Sequence, residues 1–191
     1  MTKIAVVIGS VREGRVTDKL AKWVAKEVAK VADVETLDLK DYPMPFFNEP
    51  IPPRYNPNRD LAPETKKWVE KMSSFEGYVI VTPEYNRSFP GVLKNALEML
   101  DNGVVNKPVA LVGHGSSGGA QAIASLRISL PGNGFVTLPN ALFFKDSVGE
   151  AIDDDGIINA ELQEGPMSPQ NQLNDLATTL VKYAEALKTI Q

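Results

Sequence analysis

Thr82 to Gly91, TPEYNRSFPG, carry more chemical variety than a simple turn needs. Pro83 stiffens the exit from an apolar run, and then come an acceptor (Glu84), an aromatic face (Tyr85) and an amide able to donate and accept (Asn86). Gly9 to Thr17, GSVREGRVT, is a second such cluster. Ser10 and Thr17 bring hydroxyls there, and Arg12 and Arg15 bring fixed, forked cations that match phosphate oxygens. The third is GHGSSGGA, in which Gly115, Ser116, Ser117 and Gly118 combine close backbone approach with hydroxyls. A planar heterocycle with a mixed donor–acceptor edge would use the first and third clusters, and a phosphomonoester the second.

Better-known motifs come close and fail. Gly9 and Gly14 have P-loop spacing, but Arg15-Val16 stand where Lys-Ser/Thr would reach terminal phosphates and magnesium. The loop after the first strand also lacks G-x-G-x-x-G. Gly115 to Gly119 match the G-x-S-x-G of a hydrolase elbow. That chemistry needs a histidine base, and the sole histidine, His114, precedes the serine on the same loop. His114 therefore reads as a loop residue rather than an acid or base.

The elements that must position these clusters alternate regularly. KIAVVIGS, DVETLDL, GYVIVT, KPVALVGHG and a segment within GFVTLPNALFF read as strands. Helices are expected over Thr17–Val31, near Leu61–Phe75, and in GVLKNALEML, GGAQAIASLRISL and the closing QLNDLATTLVKYAEALKTI. Five strand–helix alternations predict an α/β, three-layer doubly wound sandwich with a five-stranded parallel sheet in order 2-1-3-4-5. We expect one domain over residues 1–191. In such sheets ligands bind outside the carboxyl ends of strands, where all three clusters fall. The ligand that satisfies a phosphate cluster and two ring-binding clusters together is flavin mononucleotide.

The chain also resembles the NADPH-dependent FMN reductase family, with its quinone, chromate and azo-dye reductase relatives on the flavodoxin-like fold. The resemblance rests on IGSVREGR after the first strand and VTPEYNRSFPGVLKNALE after the third, supported by the glycine-rich loop after the fourth. It implies that Ser10 and Arg12 hold the FMN phosphate, that Pro83, Glu84, Tyr85 and Asn86 line the ring and ribityl chain, and that Gly115 to Gly118 approach the pyrimidine end. Many relatives carry serine at the position of Arg15, which leaves that arginine open to the phosphate, to the NADPH phosphate or to solvent. The implied enzyme moves a hydride from NADPH or NADH through bound FMN to a small-molecule electron acceptor. A flavodoxin-like electron carrier and a non-catalytic regulatory protein are the alternatives; Arg12, Arg15 and Arg87 on the flavin-side loops favour a pyridine nucleotide partner.

Composition narrows the classes further. The 191 residues carry a formal net charge of −4, which argues against a nucleic-acid partner. No cysteine is present, so disulfides and thiolate chemistry drop out, and we expect a cytoplasmic protein with no membrane span. Between Pro43 and Pro57 six prolines accompany Phe46, Phe47 and Tyr55, a stretch that cannot be helix and whose aromatics need cover. The resemblance places such a segment near a subunit contact, giving a homodimer or tetramer; folding over its own subunit is the other reading. Asp153 to Gly156 hints at calcium, but Ala151 and Leu162 occupy the end positions of that register, so a solvated turn or hairpin is expected.

Overall fold

Val6, Val81 and Val112 point to one side of a parallel sheet and Ala5, Val7, Ile80 and Leu111 to the other, all with at most 1% of their surface exposed. This two-sided burial explains why the strands read as continuous apolar runs. The computed structural model describes residues 1–190. Its elements are β1 (Lys3–Ile8), α1 (Thr17–Val28), β2 (Asp33–Asp38), α2 (Pro63–Ser73), β3 (Gly77–Pro83), α3 (Gly91–Glu98), β4 (Pro108–His114), α4 (Ala120–Ser129), β5 (Val136–Thr137), β6 (Leu142–Phe144), α5 (Val148–Ala151) and α6 (Pro169–Leu187). The strands run β2-β1-β3-β4-β5 with every pairing parallel, the doubly wound order.

The fifth position holds two short strands. Val136 and Thr137 pair with Pro108 and Val109, then Leu142 to Phe144 pair with Val112 to His114. Four residues separate the two pieces on the outer side against two on β4, so the surplus must loop out. Pro139 lies in that loop, where its missing N–H costs no ladder bond.

One apolar layer is formed by α1 and α6, with Leu20, Trp23, Val24, Leu173 and Leu180 against β1, β3 and β4. The opposite layer comes from α2, α3 and α4, through Trp68, Met72, Leu93, Leu97, Ile123 and Leu126. Each such side chain, taken fully from water, contributes about 1.5–3 kcal/mol before chain entropy is counted. Trp68 also satisfies its indole N–H on the Ala96 carbonyl at 2.8 Å, which locks α2 to α3. Helix α1 is shorter than its apolar spacing suggests: it ends at Val28, and Val31 is 39% exposed. The Asp153–Gly156 turn is the expected hairpin, closed by a bridge between Ile152 and Ile158 and seated against Lys22 and Trp23. Among the described residues no cluster of metal-ligating side chains occurs, and no helix is long and apolar enough to cross a membrane.

Registers Ile8–Val81 and Pro83–His114 bring the carboxyl ends of β1, β3 and β4 side by side. Adjacent strands lie about 4.8 Å apart, so the three loops that leave them share one rim.

Candidate functional site: a shelf at the carboxyl rim

The loop after β1 is built before any ligand arrives. Ser10 is fully buried, and its hydroxyl shares a 3.0 Å hydrogen bond with the Tyr85 hydroxyl while accepting the Arg12 amide at 3.3 Å. The chain then turns back, Arg15 N–H donating to the Arg12 carbonyl at 3.3 Å, with Gly14 at φ +66° in a conformation other residues resist. Arg12 is exposed, and its guanidinium carbon lies 5.6 Å from the centre of the Tyr85 ring. The loop after β1 and the loop after β3 are therefore joined twice, by a hydroxyl pair and by a cation over a ring.

Arg15 and Thr17 turn inward. The Arg15 side chain is 6% exposed; its fork grips the Asp38 carboxylate and also donates to the Ser10 carbonyl. It does not point to solvent. Burial alone would raise the Asp38 pKa; the Arg15 hydrogen bond, the Lys40 amide and both cations outweigh it and hold the carboxyl below its usual value. Thr17 is fully buried at the start of α1, and its hydroxyl meets His114 Nε2 at 2.9 Å. His114 is the last residue of β4 rather than part of the loop. Burial pushes its pKa down to about 4, so the ring is neutral at pH 7.

On the other two loops, Pro83 ends β3 and is buried, whereas Tyr85 is half-buried and Asn86 exposed. Asn86 and Arg87 have φ of +48° and +67°, and Tyr85 and Ser88 exchange backbone hydrogen bonds of 2.8 and 3.0 Å across them. The result is a tight two-residue hairpin that aims Asn86 and Arg87 outward. Glu84 has a task of its own: its carboxylate accepts the Gln121 amide at 2.9 Å and the Ser117 hydroxyl at 3.2 Å. Gly119, just before α4, has no side chain to cap the helix, so Glu84 supplies the cap from the neighbouring loop. Its backbone N–H also donates to the His114 carbonyl at 3.1 Å. Gly115 closes a turn by accepting the Gly118 amide at 2.8 Å, leaving Ser116 and Ser117 exposed on its crest. Ser117 meets a carboxylate, and His114 is committed to Thr17, so no hydrolase triad assembles.

Two features of the rim suit a phosphomonoester tail. Val16, the residue just before α1, provides no side-chain cap, and the backbone N–H groups of the exposed residues Val11, Glu13 and Gly14 make no hydrogen bond among the described residues. Unpaired loop amides ahead of a helix, beside an exposed arginine, are donors that an anion can use. A small cavity of about 250 Å³ opens beside the loop after β1, between Val11, Leu39, Tyr42, Met44, Val92 and Asn95. A cavity of about 810 Å³ lies elsewhere, between the 53–61 segment and α2, and none of the twelve anticipated residues lines it. Arg59 on its wall is held by Glu49, and Arg54 by Asn102.

The residue that sequence reasoning missed is Asp38. Its only advance sign is its place as the last residue of β2, beside the start of the loop after β1.

Comparison with known proteins gives the family and the fold. An NAD(P)H-dependent FMN reductase of Nectria sp is 36% identical over 136 residues, covering 68% of each chain. A quinone reductase of Pseudomonas putida is 31% identical over 135 residues, covering 66% of this chain and 68% of that protein. Among solved structures, the flavoenzyme NAD(P)H:(acceptor) oxidoreductase FerB of Paracoccus denitrificans superposes with a TM-score of 0.73 at 24% identity, covering 99% of this chain and 98% of its own, a likeness of fold. The sequence pattern of the NADPH-dependent FMN reductases matches residues 2–149, and the chain belongs to that family.

Proposed function

We propose that this FMN- and NAD(P)H-dependent oxidoreductase seats its flavin on the rim shelf, phosphate toward α1 and ring toward the loops after β3 and β4. The observation that carries the reading is the convergence of a preformed, amide-rich basic loop with Tyr85, Asn86 and the Gly115–Gly118 turn on one edge. When bound, FMN supplies the two-electron carrier chemistry between NAD(P)H and a small acceptor. The protein's part is to bind, orient and leave one side open. Arg12 and the free amides of residues 11, 13 and 14 would hold the phosphate. Tyr85 keeps Ser10 in place, Asn86 presents its amide to the ring edge, and Glu84 holds the loop after β4 at a fixed height through Gln121 and Ser117. Arg15 and Thr17 support the loop from beneath through Asp38 and His114.

The Pseudomonas putida relative acts on quinones, which supports a small oxidised acceptor entering the same open side. The exposed Phe46 and Tyr55, at 86% and 78%, support a homodimer or tetramer that covers them, although Phe47 packs on its own core and its amide donates to Asn95 at 2.8 Å. The cysteine-free sequence supports a reducing compartment such as the cytoplasm.

The test is direct. Purified protein, or protein mixed with FMN, is expected to be yellow and to bleach when NADPH is added without air. Yellow protein that stays coloured with both NADPH and NADH points to an electron carrier. Protein that no added FMN can colour overturns the reading.

A further inference from the structure

Burying an arginine beside a phosphate loop and then neutralising it with a carboxylate is a poor way to make an anion ligand. The Arg15 fork is bonded to Asp38 and to the Ser10 carbonyl, and Arg15 Nε is buried without a partner. Asp38 is in turn fixed by accepting the Lys40 amide at 2.9 Å, which caps the turn that follows β2. A chain of bonds thus runs from the end of β2 through Arg15 to Ser10, and from Ser10 to both Tyr85 and the Arg12 amide. As seen from the rim, the pair carries no net charge. What it delivers is geometry: it fixes the carbonyl of Ser10, and so the direction in which the next amides and Arg12 leave the strand.

We propose that Asp38 and Arg15 are paired positioning residues that hold the Ser10–Arg15 loop in the shape that receives the FMN phosphate. This rests on the reading above that the loop takes that phosphate. It assigns a role to Asp38, and it separates Arg15 from the groups that touch the ligand. It also gives different signs to variants that a direct ligand and a positioning residue would otherwise share.

The experiment strips flavin from the full chain and titrates it with FMN and with riboflavin, which lacks the phosphate, following quenching of flavin fluorescence. The readout is the ratio of the two dissociation constants. Arg15→Ala and Asp38→Asn are each expected to shrink the preference for FMN about tenfold or more, with riboflavin affinity unchanged, which also shows that each variant is folded. Combining the two is expected to cost no more than either alone, because both break one linkage. Asp38→Glu should recover part of the preference, and Arg15→Lys, lacking the fork, should not. An increased FMN preference in Asp38→Asn would mean that the freed guanidinium binds phosphate itself, and overturns the proposal. An unchanged ratio in both single variants overturns it too, as does a parallel loss for riboflavin, which marks a general bolt. If the unaltered protein shows no preference for FMN over riboflavin, the phosphate reading fails and this proposal with it; a preference that survives both substitutions removes this proposal alone.

Discussion

The Thr17 hydroxyl and His114 Nε2 meet at 2.9 Å, both residues buried and 97 positions apart in the chain. One opens α1 and the other closes β4, so the bond ties the helix that follows β1 to a strand two places along the sheet from it. The contact fixes the distance between the loop after β1 and the glycine-rich loop from below. It also leaves the ring little reason to hold a proton: a cation there would lose water and gain no carboxylate partner, and burial lowers its pKa.

A pH dependence of stability follows. In the unfolded chain His114 titrates near 6.5, in the folded chain near 4, so the unfolded state binds more protons between those values. The stability associated with the neutral ring is whole above about pH 6.5 and drains away as pH falls toward 4, by up to about 3 kcal/mol. Urea unfolding at pH 7.5, 6 and 5 should show this decline in the unaltered protein and a flatter profile in His114→Gln. Equal slopes in the two proteins would remove His114 as the cause. Thr17→Val, which strips the ring of its partner, should cost about 1–2 kcal/mol at pH 7.5.

Arg12 is the exposed cation of the loop after β1, held near Tyr85 and paired with no carboxylate among the described residues. Removing it should therefore cost binding and not folding. Arg12→Ala is expected to weaken FMN retention by about 1.5–3 kcal/mol, roughly ten- to a hundredfold, through loss of a charge-assisted bond to phosphate. The melting temperature of the flavin-free chain should barely move. FMN affinity equal to that of the unaltered protein, measured by fluorescence titration, would take Arg12 out of the site.

Glu84 is expected to behave in the opposite way, because it acts on the protein first. Its carboxylate caps α4 at Gln121 and holds Ser117. Glu84→Ala should destabilise the flavin-free chain by about 1–2 kcal/mol, the usual worth of a lost cap. FMN affinity should fall as well, since the loop after β4 loses its tether to the loop after β3. Glu84→Gln keeps an acceptor for the Gln121 amide and should recover most of the stability. If Glu84→Ala melts where the unaltered protein does, the capping role is wrong.

The sheet and its loaded rim were legible because both are local in sequence. Runs such as Val79 to Val81 announce a strand buried on both faces, and PEYN or GSVREGR announce loops that no packing argument explains. The break between β5 and β6 was hidden, because Pro139 weakens one ladder position and gives no sign that two surplus residues loop out with it. Side-chain partnerships across the rim were hidden more deeply. Arg15 finds Asp38 only because β1 and β2 pair in register, placing Ile8 beside Asp38. Glu84 caps α4 only because Pro83 and His114 are neighbours in the sheet. Composition shows that a carboxylate and an arginine are available on the loops, and only the assembled strand order shows that one serves a helix and the other a carboxylate.

Arg87 stands at φ +67° in the two-residue hairpin after β3, a conformation that costs a side-chain-bearing residue about 1–2 kcal/mol. Asn86 at φ +48° tolerates its place better, since a short amide suits that region, and glycine in the following position is the usual choice for such a turn. Arg87→Gly should accordingly raise stability by about 0.5–1 kcal/mol, visible as a higher melting temperature of the flavin-free chain. A cation kept at a strained, exposed position on the carboxyl rim motivates a second expectation: the variant should show a severalfold higher KM for NADPH with kcat little changed, as expected when a charge that assists binding alone is removed. FMN affinity should stay the same, which separates this arginine from Arg12. A stabilised variant whose KM for NADPH is unaltered would leave the strain without a functional reason and would withdraw Arg87 from nucleotide binding.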